Sequence, residues 1–262
     1  MRRRAVLSLI LISAMAGPGC AQQSEPAGIP LLGQRLRTKP PSGDGACRFD
    51  LTGTKEETAF FVLGFLDEYL GRNIVEDDDQ VERLYAGESK PAEVLRRQLQ
   101  KLAAEQGLDP AIREETDASG RTLFRSKPLA DRINSCYRYQ MTNGTAVQGR
   151  DGSYVRMTQA PLRIDLFMTG RGGAVRGGGL PDEIFHRHRA LAYLAGAWTR
   201  YRHGDDFMFA NAKEKATLIA QLLTNLGCHR VSLESTFGYI PGSNTVRFVP
   251  NDELREWLGR TW

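Results

Sequence analysis

The stretch that most constrains the fold is 181–262, where helical and strand periodicities alternate at close spacing. Pro181 opens a predicted helix running to Arg202, with Asp182 and Glu183 in its first turn, where the helix dipole favours acids. Ile184, His188, Leu191, Ala195 and Trp198 fall along one side, and Ala192, Leu194 and Ala197 widen that side into a central, packed helix. Phe207–Ala210 reads as a short strand. Asn211 is placed to cap the next helix, with Glu214 three residues on as in a capping box. That helix carries Ala212, Ala216, Ile219, Leu223 and Leu226 and stops at Gly227. Val231/Leu233 and Val246/Phe248 alternate as two strands around Pro241-Gly242-Ser243, and Leu254, Trp257 and Leu258 mark a final helix. The order helix–strand–helix–strand–strand–helix predicts an α+β unit with helices on one face of a sheet.

Upstream, the pattern is helical and then β-rich. Thr54–Arg72 carries a broad apolar face (Phe60, Phe61, Val62, Leu63, Phe65, Leu66, Tyr69, Leu70), with Glu56 and Glu57 in its first turn. A second helix is predicted over 90–106, with Val94, Leu95, Leu99 and Leu102 at 3–4 spacing and Gly107 as its stop. Strand signals follow at Arg121–Ser126, Cys136–Thr142, Ser153–Thr158 and Leu162–Thr169, with a hairpin turn at Arg150-Asp151-Gly152. The expected fold class is therefore α+β: a helical N-terminal part, an antiparallel β-rich middle and the C-terminal unit. The expected boundaries are 47–170 and 180–262, with a Gly-rich loop at 170–179 between them.

The first twenty residues read differently. Arg2, Arg3 and Arg4 precede the twelve-residue apolar run Ala5–Ala16, and Gly17-Pro18-Gly19-Cys20 follows. That is an export signal, too short to span a bilayer as a helix. Cys20 resembles the lipidated cysteine of bacterial lipoproteins; the alternative is cleavage after Ala14-Met15-Ala16, which leaves Cys20 a thiol. Residues 21–46, rich in Pro, Gly, Ser and Gln, read as a flexible tether. The expected location is the bacterial cell envelope, anchored through acylated Cys20, or else soluble in the periplasm or secreted.

Charge excludes one class of partner at this level. Of 35 Lys+Arg against 31 Asp+Glu, three Arg lie in the signal, leaving 32 against 31. A near-neutral body lacks the basic footprint of a nucleic-acid binder, so no nucleic-acid partner is expected. Cys47, Cys136 and Cys228 show no metal-ligand spacing. Cys47–Cys136 is the expected disulfide, because it would pin the start of the ordered region, and Cys228 the buried thiol.

Chemistry-bearing residues are sparse. All four histidines, His186, His188, His203 and His229, lie in the last third, near Asp205 and Asp206. His186 and His188 sit two apart and so face away from each other on a helix. His188 falls on the apolar face and reads as a core histidine. Arg171 and Arg176 in the Gly-rich loop could clamp an anion, although Asp182 and Glu183 would repel it. No G-x-S-x-G, H-E-x-x-H or P-loop motif occurs.

The order of elements after 180, together with Leu194-Ala195-Gly196, resembles half of a LAGLIDADG homing endonuclease. The resemblance covers about 70 residues and concerns fold. The family's metal-binding acid would fall at Tyr201, and the family has two strands after its first helix where the sequence shows one. The functional expectation is a lipid-anchored envelope protein that binds an unknown envelope protein or small ligand without catalysis. It carries no cofactor and no metal, and its membrane contact is through the acylated N-terminus. The alternatives are an envelope hydrolase using His186 or His203 with Asp205, and a metal-binding protein using His203, Asp205 and Asp206.

Overall fold

The computed structural model describes residues 47–68, 72–74, 79–137, 146–148, 154–156, 158–160, 162, 166–169, 184–236 and 242–262. Cys20, the 21–46 tether, Arg171, Arg176 and the Arg150-Asp151-Gly152 turn lie outside them.

The chain is a mixture of helices and antiparallel sheet, in which one seven-element order occurs twice. The first unit runs α1 (Lys55–Phe65), β1 (Arg72–Ile74), β2 (Gln80–Leu84), α2 (Ser89–Glu105), β3 (Arg113–Thr116), β4 (Thr122–Arg125) and α3 (Lys127–Asn134). An intervening set of short strands follows: β5 (Ala146–Gln148), β6 (Tyr154–Arg156), β7 (Thr158–Ala160), β8 (Met168–Thr169) and β9 (Ile184–Phe185). The second unit is α4 (Arg187–Tyr201), β10 (Arg202–His203), β11 (Asp206–Ala210), α5 (Lys213–Asn225), β12 (His229–Thr236), β13 (Ser243–Val249) and α6 (Asp252–Leu258). Both units therefore read αββαββα.

The sheets repeat as well. The second unit has the order β10-β11-β13-β12, and the first has β2-β4-β3, with β1 paired to β7 instead of β2. Alternation decides which face is buried. In β11, Phe207 and Phe209 point inward while Met208 and Ala210 are exposed, and in β13 Val246 and Phe248 join the core. Cys47 and Cys136 form a disulfide that fastens the segment before α1 to the end of α3.

The core is centred on α1 and α4. Phe60, Phe61, Val62, Leu63 and Phe65 of α1, and Leu191, Tyr193, Leu194 and Ala195 of α4, are all buried. The two helices run side by side in the same direction. Their first turns meet where Arg189 Nε donates to Glu56 at 2.8 Å, and their last turns meet where Arg200 Nη1 donates to the Phe65 carbonyl at 3.4 Å. At the crossing there is no room for side chains. A Cβ on Gly64 would lie 1.9 Å from the Tyr193 carbonyl oxygen, and a Cβ on Gly196 would lie 1.9 Å from that of Phe61. Each glycine thus seats against the carbonyl three residues before the other, which only a residue without a side chain permits. Gly196 follows Gly64 by 132 positions, as Tyr193 follows Phe61, so the contact is two-fold.

Several expectations are corrected. The C-terminal helix begins at Arg187 rather than Pro181, because Ile184–Phe185 pairs as β9 with β8. Helix α1 ends at Phe65 rather than Arg72, since Leu66 turns extended (φ −62°, ψ 148°). Within the strand expected at 162–169, the described residues place Met168–Thr169 in β8 and Leu162 in an isolated bridge to Tyr137. Asn211 does not cap α5: Ala212 holds that position, while Asn211 adopts φ 50° and its side chain accepts from Gly242 N at 2.8 Å. Two strands follow α4, because Arg202–His203 pairs with β11, where one was expected.

Candidate functional site

The last turn of α1 leaves backbone carbonyls without helical partners, and the negative end of the helix dipole lies there. Three side chains of the second unit satisfy them. Lys215 Nζ donates to the Leu66 carbonyl at 2.6 Å, Tyr201 Oη to the same oxygen at 3.1 Å, and Arg200 Nη1 to Phe65 O. Lys215 comes from α5, while Arg200 and Tyr201 end α4.

These cations meet carboxylates of the first unit. Lys215, fully buried, lies 3.5 Å from Glu68 Oε1, which also accepts from Tyr137 Oη at 3.0 Å. The rings of Tyr193 and Tyr201 flank the ammonium at 5.5 and 5.2 Å. Arg200 spreads over two acids: Nε donates to Glu88 Oε1 at 2.9 Å and Nη1 lies 3.4 Å from Glu82 Oε1. Glu82 also accepts the backbone N–H groups of Asp67 and Arg83, each at 2.7 Å.

Electrostatics follow from burial. Burial works against charge on Arg200, but Tyr201, Glu82 and Glu88 outweigh it and raise its pKa. For Lys215 burial dominates and lowers the pKa, with Glu68 opposing. Burial pushes the Tyr201 phenol well above its ordinary range.

Above this network opens a cleft of about 350 Å³, lined by Asp67, Tyr85, Glu88, Arg200, Tyr201 and Met208, with Phe209, Ala210, Ala212, Gly242 and Ser243 completing it.

The sequence-predicted residues are not brought together. His186 precedes the first turn of α4 and His203 follows its last, at opposite ends of a fifteen-residue helix about 22 Å long. His203 and Asp205 are exposed, and the Asp205 carboxylate meets only Arg202 at 3.9 Å among described ion pairs. His186 has its Nε2 buried without a described partner, and burial, with Arg189 nearby, lowers its pKa. His188 is not a core residue: it is exposed, 3.3 Å from Glu57 and edge-on to Trp257. Among the described residues no three His, Cys, Asp or Glu side chains are grouped to hold a metal ion.

The sequence reading missed Glu68, Glu82, Glu88, Arg200 and Lys215 altogether. A lysine within the apolar run of α5 was the available signal, since Lys215 stands one position before Ala216 on the face that also carries Ile219 and Leu223. A divalent ion at the helix ends does not fit the donor set present. Tyr201 stands where the resemblance places a metal-binding acid, its phenol hydrogen is given to a carbonyl, and the Lys215 ammonium fills the adjoining space.

No protein family and no curated protein matches the chain by sequence. Solved structures do. The chain is similar to the homing endonuclease I-DmoI in complex with DNA and Ca, at 12% identity and a TM-score of 0.46, over 79% of this chain and 87% of that one. It is similar to mesophilic variants of the same endonuclease at 12% identity and a TM-score of 0.48, over 80% of this chain and 99% of that one. A complex of I-DmoI with DNA and Mn gives 13% identity and a TM-score of 0.47, over 79% and 99%.

This finding corrects the expected function. I-DmoI is bound to DNA in two of these structures; against that finding the expected non-catalytic, lipid-anchored envelope lipoprotein and the exclusion of nucleic-acid partners are both withdrawn. Net charge describes the whole chain, whereas recognition depends on which charges one face presents. At this identity the likeness is one of fold, and the chemistry must come from this chain's own residues.

Proposed function

We propose that the protein is a nucleic-acid-binding module built on a LAGLIDADG-type helix pair, one that holds its ligand without cutting it through a carboxylate-bound metal. The observation that carries this reading is the reciprocal seat of Gly64 and Gly196 between two αββαββα units. Two like units, each with its own antiparallel sheet, offer two outward faces, a layout suited to a long ligand rather than a small one.

The sheet faces turned away from the helices supply the contacts. In the first unit Arg83 and Arg113 are exposed; in the second, Arg230 and Arg247 are exposed beside Ser232, and the half-buried Thr245 shares the face with Arg247. Arginine and hydroxyl side chains of this kind hold phosphate oxygens. Only a few cations are involved and Asp206 and Glu234 lie 3.5 and 2.9 Å from Arg247, so binding is expected to be weak and strongly salt-dependent.

The helix ends do not support metal-dependent hydrolysis. The Lys215 ammonium pairs with the Glu68 carboxylate, and the Tyr201 phenol donates to the Leu66 carbonyl rather than offering an oxygen to an ion.

Fluorescence anisotropy with a labelled 25-base-pair duplex tests the proposal. The expected result is a Kd on the order of 10⁻⁶–10⁻⁴ M at low salt, weakening as salt rises, with the duplex uncut in Mg²⁺ or Mn²⁺. Arg113→Glu and Arg247→Glu should each weaken binding. Absence of binding at low salt, or binding indifferent to both changes, would overturn the proposal; cleavage would overturn its second half.

A further inference from the structure

The cleft over the helix ends has a character of its own. Its charged lining is Asp67, Glu88 and Arg200, and Arg200 is already committed to Glu82 and Glu88. Asp67 is half-buried and uses its backbone N–H on Glu82; among the described residues its carboxylate makes no hydrogen bond or ion pair, and it acts on the buried Lys215 ammonium only through space. The lining therefore carries an excess of negative charge and one carboxylate available to a ligand.

The walls are aromatic and apolar. Tyr201 and Phe209 form one side. Tyr85, 58% exposed, and Met208, 41% exposed, stand at the mouth, two of the three large exposed apolar side chains among the described residues. A carboxylate within an aromatic enclosure attracts a cation that can also stack or lie over a ring. It repels phosphate, so the cleft is unsuited to a nucleic-acid backbone.

We infer that this cleft binds a single organic cation, an alkylammonium or guanidinium group, held by the Asp67 carboxylate and covered by the Tyr85 ring. The inference does not rest on the nucleic-acid reading, although Met208, Ala210 and Ser243 of the cleft stand on the same outward sheet face as Thr245 and Arg247. Two sources offer this chemistry: a free diamine and the side chain of an arginine or lysine in another polypeptide.

The experiment is an NMR titration of the full chain with putrescine and with N-acetylarginine amide, and with N-acetylcitrulline amide as the uncharged isostere. Saturable shifts with at least one cation are expected, and binding of the citrulline compound at least tenfold weaker than that of the arginine compound. Tighter binding of the arginine compound assigns the occupant to a protein side chain; tighter binding of putrescine assigns it to a free amine. Asp67→Asn should weaken binding about tenfold, about 1.4 kcal/mol. Tyr85→Ala, at an exposed position that leaves the fold intact, should weaken it severalfold. Glu114→Gln, outside the cleft, should leave it unchanged. No saturable binding of either cation, equal binding of the neutral isostere, or binding unaffected by both Asp67→Asn and Tyr85→Ala would overturn the inference.

Discussion

The two units share an order of elements and a glycine seat, yet they differ at the same place. At the helix ends the first unit has Glu68, and the second, 132 positions later, has Arg200. At the helix starts the first has Thr54 and the second His186, again 132 positions apart. Where the units touch through backbone they are alike; where they touch through side chains they are complementary. Close packing of two helices requires the same small residue on both, because the steric condition is reciprocal. Buried charge requires the opposite, because identical ions would repel each other out of reach of water.

The largest expected effect breaks the shared part. Gly64→Ala and Gly196→Ala should each cost about 3 kcal/mol or more, enough to abolish cooperative folding in a domain of ordinary stability. Gly87→Ala, where a Cβ meets nothing within 4 Å, serves as the control. Thermal melting followed by circular dichroism checks this; tolerance of one substitution and not the other would break the two-fold equivalence.

A smaller effect sharpens the complementary part. Lys215→Met leaves the Glu68 carboxylate buried without its ammonium and should destabilise by about 3–5 kcal/mol. Adding Glu68→Gln should recover much of that loss. Urea denaturation of both single variants and the double variant gives the coupling directly; strict additivity would mean that the pair does not act as a unit.

The smallest effect concerns the helix starts. Burial lowers the pKa of His186 below its ordinary 6.5, so the unfolded chain takes up a proton before the folded one does. Stability is therefore full above pH 6.5 and falls as pH drops from there toward the folded-state value. His186→Gln should flatten that slope in urea midpoints measured between pH 5 and 7.5, while Thr54→Ala should not alter it.

Much of the fold was legible in the sequence and little of the site. Helix α2, helix α6 and the β12–β13 pair follow from periodicity and from stops such as Gly107 and Gly227, both at positive φ. The duplication was hidden because the paired helices share almost nothing beyond the glycine: Val62-Leu63-Gly64-Phe65-Leu66 stands against Leu194-Ala195-Gly196-Ala197-Trp198. Short strands such as Arg202–His203 carry no periodicity at all, since two residues cannot alternate visibly. Glu82 and Arg125 are charged strand residues, yet both are buried.

What the sequence determined by itself is the class, α+β, and the central place of the helix bearing Leu191, Leu194 and Ala195, because burial of an apolar face depends on local spacing alone. Only the tertiary structure decided that Lys215, Arg200 and Tyr201 would converge on the carbonyls ending α1. That convergence joins residues up to 149 positions apart. A carbonyl orphaned at a helix end has no signature in the sequence of the side chains that will satisfy it.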